Sequence, residues 1–408
     1  MSLVVVVADS VRHDAFGCLG GAGTEVVDGL AASGVLFERA VTAAPWTVPS
    51  VASMLTGVYS HRLGLAKWEQ PWPEHHPSLF ERAARAGWEV ASFVFDPSHL
   101  FRRVEAAGVC GSSQDTAGLL AWLRARRGSR FFLFVHYWWT HIPYVAKPMD
   151  ITTWRQVTDQ VLAAIRAGPE SRAGVKRLYQ HAVTQFSQEW LPRVLETLEL
   201  DDTWVVVTSD HGESWGEREG VTVDDVFDLH GNGLYDEVLR VPLLVRPPGG
   251  GPARRVPELV RTVDLLPTLV ELLGFDVPEP QEPLDGVSLA RCVTGGEPPP
   301  ALDAISVKSR DFVDHPTLPE SPAELWSGFA LTTRGRKLIW EPETNRRLAF
   351  DLVRDPGETV DVSGGAAREL EPGWERLARE LERARVGVWQ EEDVKRVQDR
   401  LRRLGYID

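Results

Sequence analysis

Residues 3–8, Leu-Val-Val-Val-Val-Ala, form an unbroken apolar, β-branched run that stops abruptly at Asp9 and Ser10. The run is far shorter than the ~18–20 apolar residues a membrane span needs. It is also too uniformly apolar for a strand with one wet face, so it reads as a central strand covered on both sides. Further buried-strand runs lie at Phe131–Tyr137, Thr203–Thr208 and Val241–Val245, with strands also at Val35–Val41 and Glu89–Phe95. Helical periodicity falls at Glu25–Ser33, Pro49–Thr56, Leu79–Ala86, Gly118–Arg127 and Glu189–Leu198. Strands alternating with helices in this way predict an α/β fold with a mostly parallel sheet sandwiched between helical layers. Ligands of such sheets bind beyond the carboxyl ends of the strands. Polar residues just after strands therefore carry the functional signal.

Composition narrows the choice of partners. The 408-residue chain has a formal net charge of −14, with 43% hydrophobic and 25% charged residues. That balance suits a large globular core, and the acidity argues against nucleic acid and against an anionic membrane surface. Three cysteines, Cys18, Cys110 and Cys292, form no CxxC pair, which points to a reducing, cytoplasmic setting. The start lacks the basic segment of a secretory leader. Gly295–Pro300 marks the best domain boundary, giving a catalytic unit over 1–297 and a smaller one over 298–408. The second unit reads as an antiparallel meander (Phe329–Thr333, Lys337–Trp340, Leu348–Leu352) followed by a charged helix pair. Pro247–Pro252 reads as a surface loop, and the acidic stretch Glu217–Asp228 as a loop or lid.

Four clusters carry chemistry. Asp9 and the pair Asp210–His211 follow two buried strands, and two carboxylates with an imidazole suit Mn²⁺ or Zn²⁺, and Ca²⁺ less well. Each acid taken singly is an ordinary helix or turn cap. Thr47, in Ala44-Pro-Trp-Thr-Val-Pro-Ser50, opens a helix whose N-terminus favours an anion. Beside a metal its hydroxyl becomes a usable nucleophile, whereas without one it is a plain N-cap. Ser50 competes for the role. His141 and His230 can hydrogen-bond a developing oxyanion or protonate a leaving oxygen. His136, inside an aromatic strand, reads as structural.

Together these pieces resemble the sulfatase-like branch of the alkaline phosphatase superfamily. The matching segments stand in the family's order: Val7-Ala-Asp-Ser-Val-Arg-His-Asp14, Gly17-Cys-Leu-Gly20, Ala44 to Ser50, and Leu55-Thr-Gly-Val-Tyr-Ser-His-Arg62. Next come His136 to Tyr144, Thr208-Ser-Asp-His-Gly-Glu213, Leu229-His-Gly and Arg240-Val-Pro242. The series closes with Val263 to Thr268, Leu284 to Leu289, Phe350 to Glu358, and Leu404-Gly-Tyr406. The resemblance implies an α/β/α sandwich with a small C-terminal sheet-and-helix subdomain. It implies a divalent cation held by Asp9, Asp210 and His211, with Thr47 completing the shell, and His141 and His230 around the transferring group. The implied mechanism is in-line attack by Thr47, a covalent Thr ester, and release to water or to an alcohol.

Departures from the family pattern bear on substrate. Sulfatases carry Cys or Ser in Cys-x-Pro-x-Arg and convert it to formylglycine, whereas this chain has Thr47-Val-Pro49-Ser-Val51. The family's Gly-Lys-Trp-His segment has no counterpart where Phe93 to Pro97 lies. Asp228 and Leu229 stand where a Lys is often found, and Trp139-Thr140 replaces an Asp-Pro before His141. An unmodified Thr fits relatives acting on phosphomonoesters, phosphodiesters or phosphonate monoesters, so a small-molecule ester of phosphate type is the expected substrate. Alternatives are a sulfate or sulfamate ester, transfer of a phospho-group to an alcohol, and a metal-binding pseudoenzyme. Trp139 either stacks on an aryl or nucleoside group of the substrate or packs the core.

Overall fold

The computed structural model describes residues 1–66, 70, 72–73, 76–95, 108–145, 149–218, 223, 226–275, 282–310, 321–365 and 367–387. Eight strands form the main sheet: β1 (Ser2–Ala8), β2 (Val35–Val41), β3 (Glu89–Val94), β4 (Val109–Ser112), β5 (Phe131–Tyr137), β6 (Thr203–Thr208), β7 (Arg240–Arg246) and β8 (Arg254–Arg261). Their order is β4-β3-β5-β1-β6-β7-β2-β8, and only the two pairings made by β7 are antiparallel. β1 sits at the centre with parallel partners on both sides. Its side chains alternate as a strand requires. Leu3, Val5 and Val7 enter one core layer, while Val4, Val6 and Ala8 enter the other. Both faces are thus dry, as the unbroken apolar run demands.

Register fixes the site. Val7 lies level with Thr208 on β6 and with His136 on β5. Two residues further on, Asp9 and Asp210 leave the same edge of the sheet side by side.

Several elements escape sequence reading. β8, Arg-Arg-Val-Pro-Glu-Leu-Val-Arg, contains a proline and four charges, yet pairs with β2 at the rim of the sheet. Proline is tolerated on an edge strand, where a missing N–H costs no ladder bond. β4 forms the opposite rim. Helices Ile151–Arg166 and Pro169–Gln185 cover one face, although the first fully buries few apolar residues, among them Val161, Leu162 and Ile165. Their start signals are plain afterwards: Asp150 accepts the Thr153 N–H at 2.9 Å, and Pro169 opens the second helix. The helix expected over Glu189–Leu198 is a π-turn, Phe186–Trp190, running into Leu191–Leu195. Pro192 lacks the N–H for the regular ladder, and the wider turn accommodates it. Pro247–Pro252 connects β7 to β8, as a surface loop should.

A second, antiparallel sheet joins β9 (Ala304–Ser309), β10 (Trp326–Thr332), β11 (Arg336–Glu341) and β12 (Arg346–Asp351) in the order β12-β11-β10-β9. The helix Ala367–Glu382 covers it with Leu370, Trp374 and Leu377. The second helix of the expected pair, the terminal Leu404–Tyr406 segment, and half of Glu217–Asp228 lie outside the described residues. Among the described residues no helix is long and apolar enough to cross a membrane.

The two sheets are joined by a buried charge cluster. Lys337 on β11 is fully buried and pairs with Asp236, and with Glu358 at 2.6 Å. Glu358 also accepts the Asp236 N–H and binds Arg218, which in turn pairs with Glu237. Breaking a buried pair strands an uncompensated charge, which costs more than the pair contributes. Lys337→Met is expected to lower unfolding free energy by about 3–5 kcal/mol. Chemical denaturation monitored by tryptophan fluorescence measures it; a loss within error of zero would show that the cluster is solvated.

Candidate active site and metal centre

Three ligand-type residues converge beyond β1 and β6. One atom each of Asp9, Asp210 and His211 lies within 4.8 Å of the other two, and all three residues are fully buried. The Asp9 Oδ2 atom has no hydrogen-bond partner. A bare carboxylate oxygen in a dry interior is costly. A cation at this point would satisfy it.

The electrostatics agree. Burial, then the neighbouring Asp210 charge, pushes the Asp9 carboxyl well above the usual carboxylate range. Burial works the same way on Asp210, but His211 and His136 outweigh it and hold that carboxyl below its ordinary value. Burial drives His211 down to about 4, so its imidazole is neutral at physiological pH. The His211 Nδ1–H donates to the Gly212 carbonyl at 2.9 Å, which leaves the Nε2 lone pair facing the carboxylates. A neutral imidazole oriented by a second-nitrogen bond is what a metal ligand requires. The residues present therefore fit a divalent cation.

Local backbone builds this arrangement. Ser10 turns back sharply with φ of 57° and places its N–H 3.2 Å from Asp210 Oδ1, while its hydroxyl donates to Asp9 Oδ1 at 2.8 Å. A non-glycine residue in this conformation carries strain, which functional sites commonly store. Gly212 lies so close to the segment after it that a Cβ would fall 2.1 Å from the Glu237 carbonyl oxygen. Its N–H and that of Glu213 donate to the carbonyls of Val238 and Glu237.

Thr47 is the first residue of the helix Thr47–Thr56, and the extended Trp46 takes the cap position. The side chain therefore does not cap its own helix. Its Oγ1 lies 3.3 Å from His211 Nε2 and also reaches Asp210. Ser50, the competing hydroxyl, donates to the Asp210 carbonyl at 2.6 Å and contacts Thr42, so it is committed to holding the Asp210 backbone.

His141 and His230 meet next to this cluster with their Nε2 atoms 3.2 Å apart. The His141 Nδ1 is bonded to the Ile142 carbonyl at 2.8 Å, and burial followed by His230 holds its pKa well below the ordinary value. The His230 ring stacks on His211 with centroids 4.6 Å apart, and its Nδ1 contacts Glu213 at 2.6 Å.

Sequence reasoning passed over three neighbours. His136, read as structural, has its Nε2 at 3.1 Å from Asp210 Oδ2 and 3.6 Å from Asp9 Oδ2. Its signal was register: a histidine near the end of a strand adjacent to β1. Trp138 stacks on His141 with ring centroids 4.0 Å apart. Trp139 is only partly buried and packs against a core cluster. Glu213 closes the segment Thr208-Ser-Asp-His-Gly-Glu213, in which only Asp210 and His211 carry a signal of their own.

This cluster is a candidate divalent-metal site with a hydroxyl and two histidines beside it, and comparison with known proteins supplies the family. The sulfatase family's sequence profile matches residues 2–275. The chain belongs to the sulfatase family. It is similar to the uncharacterized sulfatase YidJ of Escherichia coli, 23% identical over 355 residues spanning 68% of this chain and 69% of the relative. Its fold is similar to that of the phosphonate monoester hydrolase of Agrobacterium radiobacter, with a TM-score of 0.70 at 20% identity and coverage of 93% and 95%. A 2-O GAG sulfatase matches with a TM-score of 0.70 at 18% identity, covering 98% and 93%. At these identities the structural matches speak for the fold alone.

A cation that neutralises Asp9 and Asp210 stabilises the folded chain by mass action, about 4 kcal/mol when free metal exceeds its dissociation constant a thousandfold. Chelation with EDTA is expected to lower the melting temperature, and re-addition of metal to restore it. In Asp9→Asn the metal content measured by elemental analysis is expected to fall and the EDTA effect to shrink. An unchanged metal content in that variant removes Asp9 from the ligand set.

Proposed function

We propose that the chain is a metal-dependent hydrolase of phosphate-type esters in which Thr47 is the nucleophile. The observation that carries this reading is the position of the Thr47 hydroxyl. It is unmodified, nearly buried, free of any capping duty, and faces His211 and Asp210 at the mouth of the carboxylate pair. Asp9, Asp210 and His211 would hold Mn²⁺ or Zn²⁺, with Ca²⁺ a poorer fit to a set containing imidazole. When bound, the cation lowers the pKa of the nucleophile's hydroxyl and offsets negative charge on the ester.

The chain's own residues account for the remaining steps. The N-terminus of the Thr47 helix contributes unpaired N–H groups toward an anionic substrate oxygen. Thr47 gives up its hydroxyl proton to solvent water as its oxygen forms a bond to phosphorus and the bond from phosphorus to the leaving oxygen breaks. His230, protonated at both ring nitrogens, would give its Nε2 proton to that leaving oxygen, while neutral His141, its Nδ1–H on the Ile142 carbonyl, meets that nitrogen through its own Nε2 lone pair. Water then attacks the same phosphorus, returns the Thr47 oxygen and carries away the phosphate-type acid. An acceptor alcohol reaching the intermediate in place of water gives transfer instead, which product analysis with excess alcohol detects.

Sulfate ester cleavage is the second reading, favoured by the family match and by the YidJ relative. Against it stand Thr47 where family sulfatases carry a convertible Cys or Ser, and Val51 where the motif has Arg. An aryl or nucleoside group on the substrate would stack on Trp139, although that ring's packing supports a core role more.

Nitrophenyl phosphate, phosphodiester, phosphonate and sulfate esters tested with Mn²⁺, Zn²⁺ and Ca²⁺ separate these readings. Turnover of phosphate-type esters is expected to exceed that of the sulfate ester; the reverse order overturns the substrate assignment. Thr47→Ala is expected to abolish turnover while retaining most of the bound metal. Activity close to wild type in that variant refutes the nucleophile.

A further inference from the structure

Glu213 is fully buried, yet it forms no ion pair with Lys or Arg among the described residues. Its two oxygens are divided between two partners. Oε1 lies 2.6 Å from His230 Nδ1, and Oε2 accepts the Tyr144 hydroxyl at 2.9 Å. That hydroxyl in turn accepts the Trp215 indole N–H at 3.0 Å. Tyr144 occupies a left-handed conformation with φ of 63°, and its own N–H is tied to the His141 carbonyl. Arg12 and Lys176 lie over the Trp215 ring at 4.8 and 5.1 Å and both pair with Glu217. The carboxylate is therefore fixed from behind by two aromatic side chains, with one oxygen left for His230.

This has a consequence for the ring. A carboxylate oxygen only accepts hydrogen bonds, so the His230 nitrogen facing it is the protonated Nδ1. Nε2 is then the atom presented to His141 and to the ester. Without the Glu213 acceptor the ring is free to flip or change tautomer, and the nitrogen facing the ester is no longer defined.

We propose that Glu213 is a positioning residue for His230, fixing its ring orientation and tautomer through the Nδ1 contact, with Tyr144 and Trp215 holding the carboxylate in place. This rests on the function proposed above in so far as His230 serves the leaving oxygen. Glu213→Gln keeps an acceptor for Nδ1–H, whereas the near-isosteric Glu213→Leu removes it.

The Leu variant is expected to lose about 100-fold in kcat on a phenyl or alkyl ester. It is expected to lose much less on the nitrophenyl ester, whose leaving oxygen needs little protonation, with KM little changed on either. The Gln variant is expected to keep most of the activity on both. Tyr144→Phe, which releases the second oxygen and preserves the ring, is expected to show a smaller loss confined to the poor leaving group. It serves as the test if the Leu variant does not fold. Equal losses on good and poor leaving groups, or Gln behaving as Leu does, overturn the proposal.

Nitrogen-15 histidine spectra read the tautomer without turnover. A protonated Nδ1 at His230 in wild type and Gln, absent in Leu, supports positioning even where no ester in the panel is cleaved. In that event the proposed function fails alone. An unprotonated Nδ1 in the wild type overturns the positioning role whatever the esters show.

Discussion

Two carboxylates are forced together by strand register, and the rest of the site answers to that fact. β1 and β6 are adjacent and parallel, and the pairing of Val7 with Thr208 carries Asp9 and Asp210 out of the sheet side by side into a dry pocket. Like charges that close cannot both ionise without compensation. Part of it comes from Ser10, His136 and the backbone around Asp210, which satisfy three of the four oxygens. The fourth, Asp9 Oδ2, has no hydrogen-bond partner and is the atom a divalent cation would meet.

The histidines follow a common plan. His211, His141 and His230 each have Nδ1 engaged, by the Gly212 carbonyl, the Ile142 carbonyl and Glu213 respectively. Each therefore presents Nε2 to the shared cavity: one toward Thr47 and the carboxylates, two toward each other. Orientation costs nothing at the moment of reaction when it is built in beforehand, which is how preorganised sites gain over water.

Much of this was legible in the residues. The uniform apolarity of Leu3–Ala8 can only mean a strand covered on both faces, and both core layers do receive its alternate side chains. The polar residues at strand ends followed from the rule for open parallel sheets, which is why Asp9, Asp210 and His211 could be grouped before their geometry was known. What stayed hidden depended on tertiary context. β8 is a strand because it lies at an edge and borrows its ladder from β2, although its own residues argue for a loop. The helices of residues 151–185 bury Val161, Leu162 and Ile165 and then Val175, Tyr179, Ala182 and Val183 at helical spacing, but polar residues between them break the run. His136 and Glu213 take their place from neighbours remote in sequence, Asp210 and Tyr144 among them, so no local pattern could single them out. Trp138 and Trp139 differ by one position, and only the 3₁₀ turn after β5 decides which ring meets His141.

The buried Lys337 has a bearing on the order in which the molecule is made. Lys337 and Asp236 are 101 residues apart, and Glu358 follows later still. On a ribosome, every ligand and the hydroxyl of residue 47 emerge well before the lysine that anchors the segment behind Gly212 and Glu213. A nascent chain can thus complete its large sheet while the backbone supporting His211 still lacks its final anchor.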